Sequence, residues 1–264
     1  MRTWGDGTCE TNGVRIHFAC TGGTGQSVVL LHGLMGSGAC WTPLARALDG
    51  EFNVVMPDAR GHGGSTGPDS GYSYDEHASD VLALVRHLQL QRPVFVGHSM
   101  GGMTAIVAAQ RSAANLRGLV LVDPTFISPA LQQEVWDSDI ADQHRRALSL
   151  SKSDLLLEFR ARHPHRSSEI VESQVDARLN TRLCALDVLK PPNPDFRTLV
   201  RAIDVPTLLV IGDSTIVSVE LATELSNINP RVVVEQIPNA GHGLPFDQPR
   251  QLERVVAAFL GALP

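Results

Sequence analysis

Ser99 stands in the pentapeptide Gly97-His98-Ser99-Met100-Gly101, between the apolar run Pro93-Val94-Phe95-Val96 and a helix-like run over 100–109. A serine on so sharp a strand-to-helix turn crowds its neighbours, so glycines are needed two positions before and two after it. Its hydroxyl is thereby presented at the C-terminal edge of a sheet, and the amide that follows it, that of Met100, points into the same space. Serine is a weak nucleophile at its own pKa. Attack on a carbonyl needs a base to take its proton, and a neutral imidazole suits that task near pH 7. His242 is the candidate, because it follows a strand and the turn-forming Pro238-Asn239-Ala240-Gly241, which sets it on a loop at the same sheet edge. His98 is nearer in sequence, but its side chain leaves the turn in a different direction from that of Ser99 and reads as packing. His32, His62 and His98 offer no local pair at ligand spacing and no carboxylate company, so no metal site is expected.

The elements that must position these groups follow from hydropathy. Segments 27–31, 52–56, 93–96, 119–122, 207–211 and 232–234 are short β-branched runs, apolar on both faces, as central parallel strands are. Helical stretches over 41–48, 74–88, 100–111, 219–228 and 249–263 alternate with them, giving an α/β, doubly wound, mostly parallel sheet with right-handed crossovers. Ahead of them 14–19 alternates as a half-exposed strand does, and Gly22-Gly23-Thr24-Gly25 turns it into the next run, which predicts an antiparallel N-terminal hairpin. The stretch from about 126 to 196 is charged, helix-rich and strand-poor, and closes on Pro191-Pro192-Asn193-Pro194. It reads as an inserted helical cap, so the chain divides into a core of 1–124 and 197–264 and a cap of 125–196.

With 264 residues, 43% of them hydrophobic, the chain can bury one large core. A net charge of −6, with no Lys or Arg stripe to neutralise phosphates, argues against nucleic acid. The stretch from Met1 to Gly7 lacks the apolar core of a signal peptide, and no run is long enough to span a bilayer, so a soluble, cytoplasmic protein is expected. Cys9, Cys20, Cys40 and Cys184 are scattered and fit thiols in a reducing compartment. A small-molecule substrate is the expected partner, and oligomeric state is not legible.

Leu31-His32-Gly33-Leu34, the run from Asp58 to Ser65 (Asp-Ala-Arg-Gly-His-Gly-Gly-Ser), Gly97 to Gly102, and Asn239-Ala240-Gly241-His242 together make the chain resemble the α/β-hydrolase fold superfamily over nearly its whole length outside the cap. The resemblance implies a serine hydrolase with His242 as its base, an acyl-enzyme intermediate and no cofactor. The oxyanion is expected to rest on the backbone amides of Leu34 and Met100. His32 is expected to brace the Leu34 loop, and Asp58, Arg60, Gly61 and Gly63 to form a buried polar pair and tight turn beneath it. Members of the superfamily most often carry the acid of the triad at the end of a Gly-x-x-Asp stretch, which here reads Gly212-Asp213-Ser214-Thr215. Thr215 cannot carry the charge that orients His242. Asp123, in Val122-Asp123-Pro124, sits at the strand end where haloalkane dehalogenases and similar branches place theirs, and it is favoured; Asp213 and a triad without an acid remain open. Met35, Trp41, Met103 and Trp136, with Leu34 and Met100, are the expected pocket lining, suited to a largely apolar ester or lactone. Arg145, Arg146, Arg160, Arg162 and Arg166 read as a solvated face of the cap. A carbon–carbon bond hydrolase, a cofactor-free haloperoxidase or perhydrolase, and a nonenzymatic ligand sensor would carry the same residues.

Overall fold

The alternation of apolar runs resolves into one eight-stranded sheet, seen in a computed structural model that describes residues 4–111 and 115–264. Met1 to Thr3, part of the stretch read as lacking a leader, lie outside the described residues. The strands are β1 (Gly5–Thr11), β2 (Val14–Cys20), β3 (Ser27–Leu31), β4 (Asn53–Pro57), β5 (Val94–His98), β6 (Gly118–Val122), β7 (Thr207–Ile211) and β8 (Val232–Gln236). Their order is β1-β2-β4-β3-β5-β6-β7-β8, with β1 and β2 antiparallel and all pairs from β4 to β8 parallel.

Successive side chains of each central strand point to opposite faces, and each set buries against different helices. Val28, Leu30, Val94, Val96, Val120 and Val122 pack with α1 (Thr42–Leu48) and α11 (Pro249–Ala262). Val29, Leu31, Phe95, Leu119 and Leu121 pack on the other face with α2 (Tyr74–His87) and α3 (Met100–Arg111). Ser73 and Glu76 close a capping box that starts α2 at the predicted position.

Two expectations need correction. The antiparallel hairpin joins β1 to β2 through Asn12-Gly13, both at positive φ, and β2 then pairs with β4. The glycine-rich stretch after β2 therefore leads into β3 without making a hairpin with it, and Asn-Gly was the local signal for the true turn. The last strand is an edge: among the described residues β8 pairs with β7 alone, and its Val233 is 59% exposed.

Between β6 and β7 run α4 (Pro129–Trp136), α5 (Ile140–Ser149), α6 (Lys152–Arg162), α7 (Ser168–Leu179), a 3-10 segment Leu183–Leu189 and α8 (Phe196–Arg201). Ala147, Leu155, Val171 and Val175 give α5, α6 and α7 a small apolar core of their own. After β7 come α9 (Val219–Ile228), β8 and the short α10 (Leu244–Asp247). No described helix is long and apolar enough to cross a membrane.

Candidate active site

β5 ends at His98 and α3 begins at Met100, so Ser99 alone makes the turn, with φ of 53°. A non-glycine residue in this region is strained by about 1–3 kcal/mol, and close packing on both sides enforces it. A Cβ on Gly97 would stand 2.2 Å from the Gly101 carbonyl oxygen, and one on Gly101 would stand 2.2 Å from that of Leu31. Because backbone has to move in either case, Gly97→Ala is expected to cost about 3 kcal/mol or more. That lowers the thermal midpoint by roughly 6–12 °C, which a melt followed by circular dichroism measures.

Strand ends converge around this turn. His242 Nε2 lies 3.0 Å from Ser99 Oγ, and its Nδ1 lies 2.5 Å from Asp123 Oδ2. Asp123 follows β6 at φ of 38° and is fully buried. With Nδ1–H donated to the carboxylate, Nε2 presents its lone pair to the serine hydroxyl. Asp123 also accepts the amides of Ile216, 3.1 Å to Oδ2, and Val217, 2.9 Å to Oδ1. The loop that carries the acid in the commoner arrangement thus supplies backbone donors to an acid on the neighbouring strand. Thr215 turns its hydroxyl back onto the Val217 carbonyl at 2.9 Å.

Asp213 does something else. Its Oδ2 accepts the Asn239 amide at 2.6 Å and its Oδ1 the Gln236 side chain at 3.1 Å. It therefore ties down the turn that precedes His242 from the exposed side and does not meet the imidazole. His98 lies beside His242, ring centroids 4.9 Å apart, and donates Nε2–H to the His242 carbonyl at 2.8 Å. That bond fixes the backbone of the histidine loop.

The loop after β3 is held by two further histidines. His32 accepts the Ala59 amide on Nε2 at 2.9 Å and donates Nδ1–H to the Gly33 carbonyl at 2.7 Å. His62 accepts the Met35 amide at 3.2 Å and donates to the Arg60 carbonyl at 2.9 Å. Met35, at φ of 62°, thereby spends its N–H, while among the described residues no carbonyl accepts from the amides of Leu34 or Met100. Beneath the loop the expected polar pair is two separate arrangements. Asp58 accepts the amides of Gly38 and Gly64 at 2.7 and 2.8 Å and touches His17, whereas Arg60 makes a two-pronged pair with Asp80 at 2.7 and 2.8 Å.

These buried imidazoles are neutral. Burial, helped by the neighbouring His242, pushes His98 down to about 3, and burial with Arg60 nearby does the same to His77. Burial lowers His32 too, and with His32 beside it takes His62 well below the usual range. A histidine whose folded-state pKa is depressed binds its proton more readily when unfolded. Its contribution is complete above about pH 6.5 and is lost as the pH falls toward the folded value. His77 and His98 are each expected to remove about 1.4 kcal/mol of stability per pH unit below pH 6.5. Denaturant midpoints at pH 7.5 and pH 5.5 check this, with the lower value expected at pH 5.5.

Ser99 and His242 open into a cleft of about 810 Å³, its mouth included, walled by Leu34, Met35, Trp41, Phe159 and Phe246 among others. The lining differs from expectation in three places. Met103, like the side chain of Met100, belongs to the core against the other sheet face, because α3 turns those positions inward. Trp136, on α4, is 36% exposed and lies away from the cleft. Arg145, Arg146 and Arg160 do form exposed ion pairs with Asp142, Glu158 and Glu172, but Arg166 faces the cleft with its side chain only 8% exposed. Phe159, Gln174, Arg178, Pro245 and Phe246 are additional lining residues. Pro245 and Phe246 were within reach of inspection, three and four positions after His242; nothing local marked Arg178.

A serine on a strand-to-helix turn, an imidazole and a carboxylate at the C-terminal edge of a mostly parallel sheet define the class to which this architecture belongs. A sequence model of the Alpha/beta hydrolase family matches residues 28–255, and the chain belongs to that family. It is 30% identical to N-formylmaleamate deformylase of Pseudomonas putida, over 96% of this chain and 94% of that one. Among solved structures, E-2-(acetamidomethylene)succinate hydrolase has the same fold, with a TM-score of 0.85 at 21% identity over 98% of this chain and 100% of that one. An esterase of Thermogutta terrifontis with malate bound gives 0.80 at 26% identity, covering 97% and 98%.

Proposed function

We propose that the protein is a serine hydrolase that cleaves a carboxylic ester or lactone of a small molecule through an acyl-enzyme. The observation that carries this reading is the hydrogen-bonded line from Asp123 through His242 to Ser99, ending in the cleft. In the first step His242 Nε2 takes the Ser99 proton as Oγ attacks the acyl carbon. The developing oxyanion accepts from the free amides of Leu34 and Met100, and Asp123 stabilises the imidazolium. Collapse breaks the bond to the leaving oxygen, which receives the proton from His242. Water, deprotonated by the same imidazole, then attacks the acyl carbon and returns Ser99 to its hydroxyl form.

The helical segment over 125–196 serves as the cap, contributing Phe159 and the face of α7 to the cleft. Leu34, Met35 and Trp41 supply an apolar wall for the body of the substrate. Hydrolysis of an N-acyl bond by the same residues is the second reading, favoured by the 30% identity to a protein named as a deformylase. The free thiols of Cys9, Cys20, Cys40 and Cys184 fit action in the cytoplasm.

Labelling by a fluorophosphonate probe, together with stopped-flow hydrolysis of p-nitrophenyl acetate, tests the proposal. One equivalent of label on Ser99 and a stoichiometric burst of nitrophenol are expected. Absence of both would refute an activated serine.

A further inference from the structure

The cleft holds positive charge that the protein itself does not neutralise. It is lined by Arg166 and Arg178, and no Asp or Glu is among its lining residues. The chain as a whole carries a net charge of −6, so the overall charge of the protein would not draw an anion to this cleft. The circumstances of the two arginines differ. Arg166 donates Nε–H to Asp247 Oδ1 at 2.7 Å and Nη1–H to Gln174 Oε1 at 3.0 Å, and its guanidinium lies 5.4 Å from the centre of the Phe246 ring. It is paired and fixed.

Arg178 sits one helical turn beyond Gln174 on the same face of α7. Among the described residues no carboxylate pairs with it. Its Nε is shut off from solvent and has no hydrogen-bond acceptor. Burial pulls its pKa below the ordinary arginine value, and the like charge of Arg162 adds to the pull. Arginine does not give up its proton in proteins, so this half-buried guanidinium, with Nε shut off and no carboxylate partner among the described residues, is open to a counter-charge from a ligand. The planar fork of N–H donors matches a carboxylate bidentately. Gln174, with its Oε1 committed to Arg166, keeps its amide hydrogens as neutral donors beside that fork.

We infer that the acyl substrate carries a carboxylate away from the scissile bond, which Arg178 binds as its counter-ion at the α7 wall of the cleft. This rests on the serine-hydrolase reading of the same cleft and narrows it. The apolar residues then hold the body of the substrate while Arg178 fixes its charged end, so Arg178 determines specificity and takes no part in proton transfer.

The test compares p-nitrophenyl hemiglutarate with p-nitrophenyl pentanoate, acyl chains of equal length ending in a carboxylate or a methyl group. Wild-type protein is expected to favour the anionic ester at least tenfold in kcat/KM, corrected for uncatalysed hydrolysis. Arg178→Met is expected to lower the ratio of anionic to neutral kcat/KM by 30-fold or more, chiefly through KM, and Arg178→Lys to retain an intermediate ratio. Calorimetric titration of Ser99→Ala with glutarate gives a readout independent of turnover: saturable binding is expected, weakened at least tenfold when Arg178→Met is added. If Arg178→Met does not fold, the wild-type preference, the Arg178→Lys ratio and glutarate binding decide. A wild-type ratio at or below one, with no glutarate binding and with fluorophosphonate labelling intact, overturns the carboxylate inference and leaves the hydrolase reading standing. Arg178-dependent glutarate binding without labelling or ester hydrolysis does the reverse.

Discussion

Ser99→Ala is expected to lower kcat for p-nitrophenyl acetate by about 10⁶, to the level left by transition-state donors and binding alone. The expectation follows from the division of labour at the turn. Only Oγ both touches His242 Nε2, at 3.0 Å, and faces the cleft. The nearest other hydroxyl is that of Thr125, 3.5 Å from Ser99 Oγ and buried beneath it, with no bond to the imidazole. Among the described residues no second hydroxyl therefore meets the imidazole to take over. The backbone at this position makes a further distinction possible. At φ of 53° any residue with a Cβ is strained, so Ser99→Gly should be more stable than Ser99→Ala by about 1 kcal/mol while being equally inactive. Steady-state kinetics and paired denaturant melts read the two effects separately. Retention of even 1% of wild-type turnover in both variants would mean that the acyl group is not carried on this oxygen.

The parts of this site that could be read from the chain are those governed by chemistry within a few residues. Gly97 and Gly101 mark the strand-to-helix turn because the crowding they relieve is local, and His242 declares itself by the turn before it. The layered sheet is equally legible, since a buried parallel strand must be apolar on both faces. What escaped reading depends on where distant segments meet. Whether Trp136 reaches the cleft is decided by how α4 lies against the rest of the fold, and Met103 faces the core because of the rotation of α3 on the sheet. The surplus charge of Arg178 has no sequence signature at all. It emerges only when α7 and the loops after β3 and β8 enclose one cleft and, among the described residues, none of their acids pairs with Arg178. Arg166 misled for a related reason: its partner Asp247 is 81 positions away. The hairpin error was avoidable, because Asn12-Gly13 is a strong turn signal lying just ahead of the recognised strand.

The choice between Asp123 and Asp213 could not be made from spacing, and it leads to the second large effect. Asp123→Asn is expected to reduce kcat by about 10⁴, and Asp213→Asn by less than about tenfold. The carboxylate of Asp123 receives three N–H donors, from Ile216, Val217 and His242. An asparagine has one acceptor oxygen and an NH2 group that can accept from none of them. If the oxygen takes the Oδ1 place, it keeps the Val217 amide, and the NH2 faces both the Ile216 amide and His242 Nδ1 and requires a lone pair on that nitrogen. The ring proton then moves to Nε2, and the imidazole can no longer take the proton of Ser99. If the oxygen takes the Oδ2 place instead, it keeps His242 and the Ile216 amide but the buried Val217 amide loses its acceptor, at about 1–3 kcal/mol, so stability falls and the loop after β7 loosens. Asp213 has no such position. Its loss frees the Asn239 amide, a bond of 2.6 Å on the exposed side of the turn, and relaxes the approach of His242 without changing which nitrogen carries the proton. Measuring kcat and the thermal midpoint for both variants under one set of conditions separates these consequences. A larger loss in Asp213→Asn, or a loss under tenfold in Asp123→Asn, would mean that the acid following β6 orients the loop and not the imidazole.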